Sequence, residues 1–313
     1  MPNGQEPILM ASKNSSILFL GAGKRVSLLQ YFKKAITAAG IDCALYCYEI
    51  DKEQPASIEA RIIQGLTWTD RNLLEDLSAI IRKHNVVSLI PCVDPAIPVS
   101  EILNSKIQNR TPNTEIIEIC NDKLKFDNFC IRNSIKVIPR AEESAFPIFV
   151  KPTLGSASDG AQIISSKLEL KNYKSQYPNL ISQKIMHGAE YTIDCFITKS
   201  RDLFISPRKR IEVVAGEVTV TKTFIDKELY KLSKQFLNKI NFHGPVTLQY
   251  IEDSEGNKYL MECNLRYGGG VICSFFSGYN FPVLHVSDIF NTFQPKKFKF
   301  SPFLMKRYNK EIF

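Results

Sequence analysis

The sequence predicts an α/β domain built on a parallel sheet, followed by an α+β region whose strands are mostly antiparallel. Three observations lead there. Apolar runs alternate with amphipathic helical patterns over residues 15–110, as in successive βαβ units. From 147 to 270 short strand-like runs follow one another, with the helical pattern 226–240 as the main interruption. The chain has 313 residues, 44% hydrophobic and 23% charged, which is too long for one small domain and rich enough in apolar material for a sizeable core. The expected organisation is an unstructured N-terminus over 1–14, an α/β domain over 15–112, a second region over 113–290 and a C-terminal extension over 291–313.

The first element is "SILFLGAGKRVSLLQYFKKAITAAG". Ile17 to Leu20 form a strand; Leu28, Leu29, Phe32 and Ile36 recur at helical spacing; Gly40 ends the helix. The turn "GAGKRV" lacks the third glycine of a dinucleotide fingerprint and the longer loop of a phosphate-binding P-loop. It reads as a tight βα turn, with or without a ligand of its own. A nicotinamide-dependent reductase would need an acid about 20 residues downstream. Glu49 and Asp51 stand a little too far on, and the second half offers no redox partner. "DCALYCYEID" is a second strand, residues 70–84 an amphipathic helix, and "VVSLIPCVD" a third strand.

Residues 121–134 form a helix with Asn121 or Asp122 as its cap. After the link "KVIPRAEESAF" come "PIFVKP", "AQIIS", "NLISQKI", "EYTIDCFIT", "LFISPRKRIEVV", "EVTVTKTF", "PVTLQYIE" and "KYLMECN", each short enough to be a strand. The basic tail "PKKFKFSPFLMKRYNKEIF", with interleaved aromatics, is expected to pack on the body as a strand or helix.

Composition excludes several classes. The formal net charge is +8, but basic residues are scattered among acids, so the partner expected is a phosphate-rich small molecule and not nucleic acid. Eight cysteines without a CxxC pair, mostly inside apolar runs, read as reduced core thiols of a cytoplasmic protein. Four singly spread histidines argue against zinc. The N-terminus lacks the features of a signal peptide, and no apolar stretch approaches the roughly 18 residues needed to span a membrane.

Three stretches carry chemistry. "VTLQYIEDSEGNKYLMECN" reads as a hairpin turning at Asp253–Asn257. Alternation puts Glu262 and Asn264 on one face, with Gln249 opposite Glu262. One carboxylate and two amides suit magnesium (or manganese) shared with nucleotide phosphates. Arg266 follows in the same alternation, before Gly268, Gly269 and Gly270. "PIFVKPTLGSASDGAQII" delivers Lys151 to a loop of small residues, a way of gripping phosphates. "LISQKIMHGAEYTIDCF" places a linker where backbone groups could meet an adenine edge, with Glu190 in reach of a ribose. Arg208 and Arg210 lie on one strand, and Arg210 is expected to help hold a substrate carboxylate.

The order Lys123, Lys151 with its Gly/Ser loop, Gln183 to Glu190, Gln249 and "ECNLR" resembles the ATP-grasp superfamily over roughly residues 15–285. It looks closest to short relatives of the carbamoyl-phosphate synthase large chain. The resemblance implies a pre-ATP-grasp α/β domain followed by an ATP-grasp domain, with ATP and magnesium as cofactors. It implies that Lys123 and Lys151 contact the phosphates and that Gly155, Ser156 and Ala157 close over them. Gln183, Lys184 and Ile185 would hold the adenine, Glu190 the ribose, and Gln249, Glu262 and Asn264 the metal. Arg266 and Lys151 would stabilise anionic transition states.

The implied activity is a ligase that joins a small-molecule carboxylate to an amine (or a thiol) through an acylphosphate. A homodimer is among the assemblies it allows. Three departures stand out: Leu265 replaces the family's proline, Asp159 puts a charge in the phosphate loop, and "PCVDPAI" lacks the acid that commonly follows its aspartate. They keep open a nucleotide-binding protein without turnover.

Overall fold

The computed structural model describes residues 14–155, 159–214, 216–292 and 298–311. All but the last residue of the expected N-terminal segment, and the phosphate-loop residues Ser156 and Ala157, lie outside that set.

The first unit is a parallel sheet of β1 (Ser15–Leu20), β2 (Cys43–Glu49), β3 (Arg61–Gln64) and β4 (Val86–Pro91), in the order β3-β2-β1-β4. Strand β3, four residues in "RIIQ", escaped the sequence reading because it is too short to show a period. Helices α1 (Val26–Ala38), α2 (Leu73–His84) and α3 (Ala96–Ile107) cover the sheet. Ile17 and Phe19 of β1 pack on Leu28, Leu29 and Phe32 of α1, while Leu18 and Leu20 face Leu77 of α2 and Leu103 of α3. A strand buried on both faces explains the unbroken apolar run "ILFL". The strand order reverses between β1 and β4, and crevices at such switch points receive ligands in open parallel sheets.

A helix the sequence reading did not expect, α4 (Thr114–Asn121), precedes the one expected over 121–134, which is α5 (Lys123–Arg132). Asp122 breaks between them in an extended conformation. Its carboxylate accepts from the backbone of Leu124 (2.8 Å) and Lys125 (3.0 Å), so it serves as the cap of α5.

A small antiparallel sheet follows, from β5 (Ile148–Pro152), β6 (Gln162–Ile164) and β7 (Leu180–Gln183), with β5 central and α6 (Lys167–Gln176) packed on it through Leu170. The larger antiparallel sheet contains β8 (Glu190–Ile197), β9 (Leu203–Val214), β10 (Glu217–Thr223), β11 (Gly244–Glu252), β12 (Lys258–Asn264) and β13 (Leu304–Lys306). Its order is β12-β11-β8-β9-β10-β13. The tail therefore ends as an edge strand, as expected of a segment packing on the body.

Helix α7 (Lys227–Leu237) and α5 cover the back of this sheet, where Ile193, Cys195, Leu248, Tyr250 and Cys263 meet Phe126, Phe236 and Leu237. Each such burial contributes roughly 1.5–3 kcal/mol. Helices α8 (Ile272–Phe276) and α9 (Phe281–Phe290) return to the first unit and pack with α1. The eight cysteines are unbridged, six of them buried. Among the described residues no helix is long and apolar enough to cross a membrane.

Candidate active site

The hairpin β11–β12 sets the site. Gln249 pairs with Glu262 and Thr247 with Asn264, so these side chains share the front face while Leu248 and Cys263 enter the core behind. The turn is held by Asp253, whose Oδ1 accepts from the backbone of Glu255 (3.0 Å) and Asn257 (2.8 Å). The Asn264 amide donates to Glu262 Oε1 at 2.9 Å. Leu265 does not loosen this segment, as its place in the motif suggested. It is 2% exposed and packed in the core, which anchors the chain between Asn264 and Arg266.

Arg266 faces the same side. It donates to Asp94, just past the end of β4, from Nε (2.5 Å) and Nη2 (2.9 Å). Burial works against the Arg266 charge, but the hydrogen bond and charge of Asp94 outweigh it and hold its pKa above the ordinary value. Arg25, at the end of the glycine turn after β1, donates to the carbonyls of Gly268 (3.0 Å), Tyr267 (3.3 Å) and Cys92 (3.3 Å). The "GAG" turn is occupied by the protein itself. Gly23 N–H donates to Glu49 at 2.6 Å, which puts a carboxylate where a nucleotide phosphate would sit in a dinucleotide site.

Lys151 and Lys123 approach from the small sheet and from α5. Burial lowers the Lys151 pKa, against the opposing pull of Glu262 and Asp127; burial likewise lowers that of Lys123, against Glu262, Asp122 and Asp94. Both ammonium groups thus share the field of Glu262. Lys123 Nζ also donates to the Gly155 carbonyl at 2.7 Å, tying α5 to the phosphate loop. Asp159 is exposed and lies within electrostatic reach of Tyr173 on the α6 side of that loop.

In the linker, Gln183 is buried and its amide lies 3.4 Å from Asp127, with its carbonyl oxygen unpartnered. Lys184 spends its backbone N–H on Pro139, and its side chain is exposed; Ile185 is half-buried. Glu190 and Arg210, expected at ribose and substrate, contact each other at 3.3 Å.

The front face of the large sheet continues as a polar row. Arg208 is 2% exposed and donates to Asp194 from Nε (2.8 Å) and Nη2 (3.3 Å). Asp194 also accepts from Ser274 at 2.7 Å. Arg208 Nη1 and Arg210 Nε are buried without hydrogen-bond partners among the described residues, although Arg210 Nε is in ion-pair contact with Glu190. The glycines of residues 268–270 make room for this guanidinium: a Cβ on Gly270 would stand 2.7 Å from Arg208 Nη1 and one on Gly268 3.3 Å from Nη2. Arg307 of the tail donates to the Gly269 carbonyl (2.7 Å) and to Glu217 (3.0 Å). The carbonyls of Gly268 and Gly269 accept from Arg25 and Arg307, and that of Gly270 from the backbone N–H of Cys273, while the N–H groups of the three glycines have no partner among the described residues.

Of these, Arg25, Asp94, Lys123, Gly155, Arg208, Arg210, Gln249, Glu262, Asn264, Arg266 and the triple glycine line one cleft of about 650 Å³; Lys151, Gln183, Lys184, Ile185 and Glu190 are not among its lining residues. Glu262 and Arg208 lie in one row across the sheet, three strands apart through Gln249 and Thr192.

Comparison with known proteins places this geometry. Residues 176–310 match the family described as "ATP-grasp in the biosynthetic pathway with Ter operon". A carbamoyl phosphate synthase large chain from Clostridium botulinum is 25% identical over 222 residues, 61% of this chain but 21% of that one. The chain thus spans about a fifth of the curated relatives it matches. Among solved structures, N5-carboxyaminoimidazole synthetase from Staphylococcus aureus superposes with a TM-score of 0.75 at 15% identity, over 96% of this chain and 83% of that one. Biotin carboxylase from Campylobacter jejuni gives 0.75 at 14% identity, over 92% and 74%. The chain has the ATP-grasp fold. An L-amino acid ligase from Bacillus licheniformis shares the ATP-grasp fold as well, with a TM-score of 0.69 at 15% identity, over 89% and 74%.

The donor set of this ATP-grasp cleft fits a hard divalent cation. Glu262 Oε1 accepts from the Asn264 amide, and Gln249 stands opposite Glu262 in the register. One carboxylate and two amide oxygens match a magnesium ion that keeps water and phosphate ligands. Among the described residues no cluster of three His, Cys, Asp or Glu would hold a metal more tightly.

The sequence reading missed Asp94, Arg25, Asp194, Glu217 and Arg307. A signal was present for two. Arg25 and Asp94 follow β1 and β4, on either side of the reversal in strand order, where loops converge on a crevice.

Proposed function

We propose that this chain is an ATP-dependent ligase that activates a small-molecule carboxylate as an acylphosphate and passes it to an amine or a thiol. The observation that carries the reading is the shared front face. Gln249, Glu262 and Asn264 share one face of the hairpin, and two lysines lie in the field of Glu262.

Lys151 and Lys123 hold the β- and γ-phosphates and neutralise charge spread over the transferring phosphoryl oxygens. The loop at Gly155, with Ser156 and Ala157, covers them, and the linker at Gln183, Lys184 and Ile185 receives the adenine with Glu190 beside the ribose. Gln249, Glu262 and Asn264 would hold magnesium, which would supply positive charge against the phosphates.

A substrate carboxylate oxygen attacks the γ-phosphorus, the bond to the β-phosphate oxygen breaks, and ADP leaves. The acceptor then attacks the acyl carbon and phosphate departs. Arg266, held flat by Asp94, donates to the developing anion. The N–H groups of Gly268, Gly269 and Gly270 offer further donors, and Arg210 helps seat the carboxylate. The domain limits near 112 and 290 follow the same reading.

Neither departure in the motif argues against turnover: Leu265 is a core anchor and Asp159 is exposed. The test is ADP release with magnesium and ATP across a panel of carboxylates and amines. Carboxylate-dependent release that disappears in Glu262→Ala is the expected result. Nucleotide binding without release for any pair would show an ATP-binding protein instead.

A further inference from the structure

We infer that the carboxylate substrate carries a second anionic group, a carboxylate or a phosphate, seated between Arg25 and Arg208 at the end of the cleft opposite Glu262. This rests on the ligase reading above and deepens it.

The pairing of charges carries the argument. Arg266 is matched by Asp94, Arg208 by Asp194, Arg210 by Glu190 and Arg307 by Glu217. Arg25 has no such partner: it donates only to main-chain carbonyls, and no carboxylate lies within ion-pair distance of it among the described residues. Burial lowers its pKa against the more distant pull of Glu217, a cost that a ligand anion would relieve. Arg208 adds a specific donor. It is 2% exposed, locked to Asp194, and still has Nη1 buried and unpartnered against the triple glycine. A buried donor left without a partner costs about 1–3 kcal/mol unless a ligand supplies one.

The reacting carboxylate cannot serve both ends. It must sit at the γ-phosphate, beside Glu262 and Asn264. Arg208 belongs to the same row of the sheet three strands away, through Gln249 and Thr192, which is roughly 14 Å at about 4.8 Å per strand. Arg25 grips the chain at Tyr267 and Gly268, beyond Arg266. A substrate with one charge would satisfy the phosphoryl end and leave Arg25 and Arg208 Nη1 bare. A dianion a few bonds long fills both.

The experiment uses the full chain with ATP and magnesium at constant ionic strength. Acetate and propionate are compared with succinate, glutarate and 3-phosphoglycerate. Thermal stabilisation in the presence of a non-hydrolysable ATP analogue and ADP release are both read. Dianions are expected to stabilise the protein and to act at about tenfold to hundredfold lower concentration than the monoanions. Arg25→Gln should remove that preference, each shift being read against the variant's own unliganded unfolding temperature. Arg208→Lys, on the other side of the proposed seat, should weaken it in the same direction and serves if Arg25→Gln does not fold.

Stabilisation by dianions without ADP release would keep the second-anion site and sink the ligase reading. Equal responses to mono- and dianions, no response to any, or a preference that survives both substitutions overturns the inference. ADP release under equal responses would leave the ligase reading standing.

Discussion

Arg266 and Asp94 join the segment after β12 to the parallel-sheet unit through two hydrogen bonds, Nε to Oδ1 at 2.5 Å and Nη2 to Oδ2 at 2.9 Å. A paired guanidinium is fixed in plane, so its remaining donor points one way. Asp94→Asn keeps the shape and removes the charge. Losing one charge-assisted bond is worth about 1.5–3 kcal/mol, or tenfold to a hundredfold in rate. The expected result is slower carboxylate-dependent ADP release with little change in the thermal shift given by magnesium and ATP. An equal loss of both would mean that the pair only holds the two units together.

Glu262 supplies the one charge among three oxygen donors and also fixes the Asn264 amide at 2.9 Å. Glu262→Ala should therefore remove the magnesium-dependent part of ATP stabilisation, leaving the magnesium-independent part, which the lysines sustain. Titrating magnesium at fixed ATP and following the unfolding temperature separates the two. A variant that still responds to magnesium like the wild type would place the cation elsewhere.

Much of this site was legible because β-strand alternation is a strict rule. Once "TLQYIEDSEGNKYLMECN" is a hairpin, Gln249, Glu262 and Asn264 can only share a face, and the register bears that out. Asp94 and Arg25 were not legible in the same way. Their meaning depends on which strands are neighbours in the parallel sheet, a long-range property that no local period encodes. Leu265 shows the opposite error: read as a missing proline it seemed a weakness, but at an odd position of the alternation it is a core residue. The break at Asp122 was visible as a cap, and what hid α4 was its length of 8 residues, too short for two helical turns to stand out.

Gly270 is required by Arg208. A Cβ there would lie 2.7 Å from Arg208 Nη1 and 2.6 Å from a methyl of Val218, and Arg208 cannot retreat without leaving Asp194. Gly270→Ala is expected to cost about 1–3 kcal/mol of stability through overpacking and to reduce carboxylate-dependent turnover more than ATP binding. Gly256→Ala is the comparison. Its φ of +82° strains an alanine, but nothing lies within 4 Å of the added carbon. Urea midpoints should fall in both variants, and the rate of ADP release only in the first.

His285 links this segment to pH. Its Nδ1 lies 3.0 Å from the Tyr267 hydroxyl, and the rings of Phe32, Phe196 and Tyr267 surround it. Burial, with smaller contributions from His243 and Lys199, lowers its pKa to about 3, while in the unfolded chain it returns to about 6.5. Between these values the unfolded state binds the proton and the folded state refuses it, so stability falls as pH drops from about 6.5 towards 3, by up to roughly 1.4 kcal/mol per pH unit. Above 6.5 the imidazole is neutral in both states and contributes no slope. His285→Gln should flatten urea midpoints measured from pH 6.5 to 4, even if the variant is less stable throughout. Because the Tyr267 carbonyl is one of those held by Arg25, acid should loosen the glycine turn before it unfolds the chain. That predicts weaker binding of succinate or glutarate at pH 5 than at pH 7 in the wild type, and a smaller pH effect in the variant. Identical slopes for the two proteins would show that other groups dominate acid loss of stability.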